Sequence, residues 1–202
     1  RMLLFHEKDA YDGILEEGLF PVFSNSYVAV LGADFPVKYV KYSNDRAPEY
    51  RIRTQIDQDE AGRRYVCKYP LSAQALPHVK GMAKAYELLT QRYEGSGLSI
   101  NKCTLEEGFA SFEYIYGTSL AELMDKCLER GDEEGFLGYF REFVRKTSHG
   151  QECQVTDFDL IFSNILISES EWTLIDYEWT FAKQVAGKEL AYRALYCYLL
   201  ED

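Results

Sequence analysis

The sequence predicts an α+β fold in which an antiparallel sheet with one helix comes first and a helix-rich part follows. Two patterns carry that prediction. Apolar and polar residues alternate with period two in three successive segments of the first third, and apolar residues then recur every three or four positions from residue 72 onward. There are no internal repeats, low-complexity tracts or long linkers to divide the chain further.

Residues 1–20 are mixed in pattern and read as a helical or irregular lead-in. Residues 26–31 (SYVAVL) form a β-rich run ending at Gly32. Residues 37–42 (VKYVKY), 50–56 (YRIRTQI) and 64–69 (RYVCKY) alternate as strands do, separated by the turn-like stretches 43–49 (SNDRAPE) and 57–62. Over residues 72–93 the spacing of Val79, Met82, Ala83, Tyr86 and Leu89 predicts a helix, which Gly95 and Gly97 end. Residues 98–103 and 109–115 read as two further strands. Ser119 is placed to cap a helix running to about Glu129, and Gly131 and Gly135 break the pattern after it. Phe136, Leu137, Phe140, Phe143 and Val144 give the next apolar helix face. Residues 165–167 and 173–175 are short strands around the polar turn 168–171, and Gly187 precedes a last helix rich in Leu, Tyr and Ala. This order suggests a β-rich N-terminal lobe, residues 1–116, and an α-rich C-terminal lobe, residues 117–202.

With 47% apolar and 15% aromatic residues, the 202-residue chain can bury a sizeable core, and 16 Tyr with 12 Phe exclude a disordered one. The net charge of −11 repels a phosphate backbone, which argues against nucleic acid as a partner. An anionic ligand would need metal ions and local positive charge. The five Cys (67, 103, 127, 153, 197) are odd in number and include no C-x-x-C pair, which predicts free thiols in a reducing compartment. No apolar run approaches the roughly 18 residues of a membrane span, and no basic-then-apolar leader is present. A cytoplasmic domain without a transmembrane segment is therefore expected, and either terminus is compatible with a cut in a longer protein.

The densest chemistry lies in residues 156–179, TDFDLIFSNILISESEWTLIDYEW. It contains D-x-x-x-x-N (Asp159, Asn164), a short strand, a turn, a second strand and then Asp176. Phosphoryl transfer needs such a set. One carboxylate must orient or deprotonate the attacking hydroxyl, and a second carboxylate with an amide oxygen must hold the metal that neutralises the phosphates. A hairpin between Asn164 and Asp176 would bring the groups together.

These motifs resemble the kinase superfamily, and within it the aminoglycoside- and choline-kinase-like branch, where the last motif commonly reads Ile-Asp-(Trp/Tyr)-Glu. The resemblance implies a bilobal kinase-like fold that binds ATP and Mg²⁺, with Asp159 catalytic and Asn164 and Asp176 at the metal. Two residues before the catalytic Asp the branch usually has His; this chain has Asp157. Lys68 ends the third strand and Glu87 lies 19 residues further on, the order and spacing of the Lys–Glu pair that anchors nucleotide phosphates. The segment FEYIYGTSL resembles the connector between lobes, so Glu113 and Ile115 would offer backbone groups to adenine and Gly117 would permit the turn into the next helix. No glycine-rich loop is present. Arg46 is the only cation in the 43–49 turn that could take its place at the phosphates.

VKYSNDRAPEYRIRT, FEYIYGTSL, DFDLIFSNIL and LIDYEWTF together look like the kinase domains attached to bacterial methyltransferases or glycosyltransferases that build surface polysaccharide. That likeness implies a sugar or glycan hydroxyl as acceptor and a fused or neighbouring transferase as partner. A pseudokinase scaffold is the alternative, which the missing glycines and Asp157 favour. His6 and His78 have no partner at metal-ligand spacing, and His149 reads as a surface residue.

Overall fold

The three alternating segments pair with one another as their pattern predicts. In the computed structural model, which describes residues 16–19 and 37–201, strand β1 (Val37–Tyr42) pairs antiparallel with β2 (Ile52–Gln58), and β2 with β3 (Arg64–Pro70). The strand expected at residues 26–31 and most of the expected lead-in lie outside the described residues. The chain divides into two units, residues 1–35 and 36–202. In the first, the described residues form a turn with Gly18 at a φ of 68°. The elements from β1 onward belong to the second.

Strand β2 begins two residues later than the alternation suggests, because Pro48–Tyr50 forms a 3-10 turn with Pro at its first position. Asp59 closes the β2–β3 turn by accepting the Arg63 N–H at 2.8 Å. Helix α1 (Leu76–Arg92) follows and packs its apolar face on β3 and on two later strands, β5 (Cys103–Glu106) and β6 (Phe109–Glu113). These five strands form one antiparallel sheet in the order β1-β2-β3-β6-β5.

The stretch expected as one strand over 98–103 is two strands in two sheets. β4 (Leu98–Ile100) runs parallel to β10 (Glu171–Leu174), and the chain changes sheet at Asn101 and Lys102 before β5. Asn101 fixes that crossing. Its N–H donates to the Leu174 carbonyl at 2.9 Å and its side-chain amide to the Glu113 carbonyl at 3.1 Å. The second sheet has the order β4-β10-β9-β7, with β7 at Thr118–Ser119 and β9 at Ile165–Ser168. At Gly117 a Cβ would stand 2.9 Å from the Ile167 carbonyl oxygen, so only glycine lets the chain pass this close to β9.

Ser119 caps α2 (Leu120–Glu129) by accepting the Glu122 N–H at 3.1 Å. Gly135 does not break a helix. It sits in the first turn of α3 (Glu133–Thr147), where the Asp132 carboxylate caps the Gly135 N–H at 2.8 Å and leaves no room for a Cβ. The last helix, α4 (Gly187–Glu201), begins where Gly187 predicts. A single buried cluster runs from Ile52, Val79 and Phe112 through Leu174 and Tyr177 to Phe162, Phe143 and Ala194. The fold is thus α+β, with sheet strands and helices sharing one core.

Candidate active site

Residues 156–181 close on themselves. β8 (Thr156–Asp157) pairs antiparallel with β11 (Thr180–Phe181), and between them β9 and β10 form the hairpin that the sequence predicts. The Ile175 N–H donates to the Asn164 carbonyl at 2.9 Å, which ties the end of the hairpin to the loop holding Asp159 and Asn164. Asp176 follows with a φ of 53°, in the left-handed region that Asp enters more readily than most residues. The reversal turns Tyr177 into the core, where its hydroxyl donates to the Asn101 carbonyl at 2.6 Å. Glu178 turns back toward β3.

Lys68 stands there, buried, with its ammonium against the Asp176 carboxylate and 3.8 Å from Glu178 Oε2. Burial opposes the charge on Lys68, but the Asp176 and Glu178 carboxylates more than offset it and hold the pKa above its ordinary value. Glu178 gathers two further cationic or ionisable side chains. Arg46 Nη2 donates to Oε1 at 2.8 Å, and His78 Nε2 lies 3.3 Å from Oε2. Burial would raise the Glu178 carboxyl, but His78, Lys68 and Arg46 together bring it down to about 2. Tyr50, His78 and Trp179 pack ring to ring around this cluster, and the Arg46 guanidinium lies 5.3 Å from the Trp179 ring.

Glu87 is not the partner of Lys68. It pairs with Lys84 at 2.9 Å, and its side chain is 59% exposed. The reason is helix phase. Nine residues separate Glu87 from His78, and at about 100° per residue the two stand on opposite sides of α1. His78 faces the site and Glu87 faces solvent. The carboxylates that meet Lys68 come from the segment after the hairpin, Asp176 in direct contact and Glu178 at 3.8 Å.

The Asp159 loop is supported from beneath. Asp157 is fully buried, and its Oδ1 accepts the Asp159 N–H at 3.0 Å, while its Oδ2 is buried without a hydrogen-bond partner. Burial, then the nearby Asp159 and Asp176, push the Asp157 carboxyl up to about 8 despite that hydrogen bond. Arg92, also buried, reaches from the end of α1 to the Val155 carbonyl and to Thr156 Oγ1, the latter at 2.9 Å. Asp159 itself is half-buried, and burial and Asp176 raise its pKa. Asn164 Nδ2 donates to the Asp159 carbonyl at 2.9 Å, which leaves its amide oxygen free to face a ligand.

A cavity of about 310 Å³ adjoins these groups. Ile56, Val66, Phe112 and Ile175 give it an apolar lining, to which Lys68, Asp176, Glu113, Tyr114, Ile115 and Gly117 also contribute. The Glu113 carbonyl is engaged by Asn101, so Glu113 bears on the crossing between sheets as well as on the cavity. Asp159 and Asn164 do not line it, and two larger and more open clefts, of about 640 and 830 Å³, include neither Lys68 nor Asp176. The smaller, less open and mostly apolar cavity is the better place for a flat ring.

Among the described residues no three His, Cys, Asp or Glu side chains cluster as a metal site. The donor set still suits Mg²⁺, a hard cation that commonly takes one or two protein oxygens and fills its remaining positions with water and phosphate. Asp176 and the Asn164 amide oxygen are donors of that kind. Sequence reasoning missed the parts that Glu178, His78 and Arg92 play, and Arg193, 3.8 Å from Asp159. Arg92 had a signal: it continues the buried series Val79, Met82, Leu89 by three residues, where an apolar side chain would be expected. Arg193 had none. No helix among the described residues is long and apolar enough to cross a membrane, and His149 is exposed. No family model matches the chain, and no curated protein matches its sequence.

Proposed function

We propose that this is a bilobal kinase-like domain that transfers the γ-phosphoryl group of ATP to a hydroxyl, on a sugar or glycan. The observation that carries the reading is the meeting of Lys68, Asp176 and Glu178 at an apolar cavity that Lys68 and Asp176 line, with the loop of Asp159 and Asn164 tied to the residue before Asp176.

Adenine would lie in the cavity against Val66, Phe112 and Ile115, and the phosphates would point toward Lys68. Asp176 and Glu178 hold Lys68 in place, and Arg46 pairs with Glu178 from a loop that has no glycine. Asp176 and Asn164 would hold Mg²⁺, which neutralises phosphate oxygens when bound. Asp159 accepts the proton of the acceptor hydroxyl as that oxygen forms its bond to the γ-phosphorus. The bond from the γ-phosphorus to the bridging oxygen breaks, and ADP leaves. The raised proton affinity of Asp159 suits it to this task.

Asp159→Ala should lower phosphate transfer to glycan acceptors by about 10²–10⁴-fold, with nucleotide affinity nearly intact. Wild-type transfer rates in the variant would remove Asp159 from the mechanism. A scaffold reading is favoured by one observation: the loop over the phosphates runs into the Pro48–Tyr50 turn, where Pro offers no N–H. Failure of the wild-type chain to bind nucleotide with or without Mg²⁺ would establish that reading instead.

A further inference from the structure

One cation, Arg193, stands beside Asp159. Arg193, on α4, donates from Nε to the Phe158 carbonyl at 2.5 Å, which fixes the plane of its guanidinium. Its Nη2 is 3.8 Å from Asp159 Oδ1, too long for a hydrogen bond. The fork is therefore held by its stem and not used up by Asp159. The side chain is 44% exposed. Next to it, Phe158 and Phe181 pack edge to face at 5.5 Å, with Phe181 exposed and the Lys183 ammonium 5.8 Å from the Phe158 ring.

A group serving only to orient Asp159 would close on the carboxylate at hydrogen-bond distance. The bond to the Phe158 carbonyl instead holds the guanidinium beside Asp159 without closing on its carboxylate. Two free N–H groups of a fixed guanidinium match the two oxygens of a carboxylate or phosphate. In a chain with a net charge of −11, this pair of cations is placed against the prevailing sign. An aromatic edge and an anion-binding fork side by side suit a ring that is apolar on one face and charged at one substituent.

We infer that the acceptor is a sugar bearing an anionic substituent, phosphate or carboxylate, near the hydroxyl that reacts, and that Arg193 selects it. The inference rests on the phosphotransferase reading above, because it takes Asp159 as the group facing the acceptor.

Binding of glucose, glucose 6-phosphate and glucuronate to the chain tests it, measured by calorimetry in the presence of Mg²⁺ and a non-hydrolysable ATP analogue. At least one anionic sugar should bind about tenfold or more tighter than glucose, the size of one charge-assisted contact. Arg193→Gln should cut that preference to below about threefold and leave glucose and the nucleotide analogue unchanged. Arg193→Lys, which keeps the charge and the packing of the stem, should give an intermediate preference. Arg63→Gln, in the β2–β3 turn, should change nothing. Equal affinity for the three sugars, or a preference that survives in Arg193→Gln, overturns the inference. So does loss of the nucleotide analogue in Arg193→Gln, which would assign Arg193 to the phosphates of ATP. Wild type that prefers anionic sugars but binds no nucleotide would leave the anion site standing and overturn the phosphotransferase reading alone.

Discussion

Glu178 is met by Arg46, Lys68 and His78, whereas Asp157 and Asp159, across the site, face Arg193 at 3.8 Å from Asp159. In the first group Arg46 and Lys68 balance the Glu178 and Asp176 carboxylates, and the second has more carboxylates than cations. Proton affinities follow the same division, with Glu178 down at about 2 and Asp157 up at about 8. Charge is thus separated across the site. Phosphates can settle beside the cations, and a divalent ion can relieve the carboxylates.

Breaking the cationic side should have the largest effect. Glu178→Gln leaves Lys68 buried with one carboxylate fewer, and loss of a partner in a buried charge cluster costs about 3–5 kcal/mol. Urea unfolding measures this, and a loss below about 1 kcal/mol would show that Asp176 alone suffices for Lys68.

Arg46 comes next. Its Nη2 holds Glu178, which also stands 3.8 Å from Lys68, and its Nη1 is buried without a hydrogen-bond partner. Arg46→Ala should weaken ATP more than AMP by about 1–3 kcal/mol. Equal weakening of both would make Arg46 a loop anchor only.

The carboxylate side can be sharpened through pH. An unfolded Asp titrates near ~3.9, whereas folded Asp157 holds its proton to about 8. Stability from this group is complete below pH ~4 and is lost as pH rises through the folded value, at up to ~1.4 kcal/mol per unit. Asp157→Asn keeps an acceptor for the Asp159 N–H and should flatten that slope. A slope unchanged in the variant would place the buried proton elsewhere. Glu87→Ala should have the smallest effect, within about 0.5 kcal/mol, as for an exposed charge.

The strands, the capped helix α2 and the hairpin before Asp176 were legible because each has a local cause: alternation, a Ser cap, two apolar runs around a polar turn. The crossing at Asn101 was not, since a short apolar stretch does not say which of two sheets it joins. The site divides in the same way. Lys68, Asp159, Asn164 and Asp176 stand out by type and spacing. Glu178 was visible as a residue but not as a partner, because its role depends on the left-handed turn at Asp176 that aims it at β3. Glu87 was misassigned because linear separation carries no helix phase, and counting from His78 would have placed it on the far side.

Melting of the chain with ATP, in Mg²⁺ and in EDTA, tests the central claim most directly. ATP with Mg²⁺ should raise the melting temperature by several degrees at saturation, EDTA should remove most of the gain, and Asp176→Ala should show the smaller shift in both conditions. An ATP shift of the same size in EDTA and in Asp176→Ala would contradict the assignment of Asp176 and Asn164 to a metal–nucleotide site.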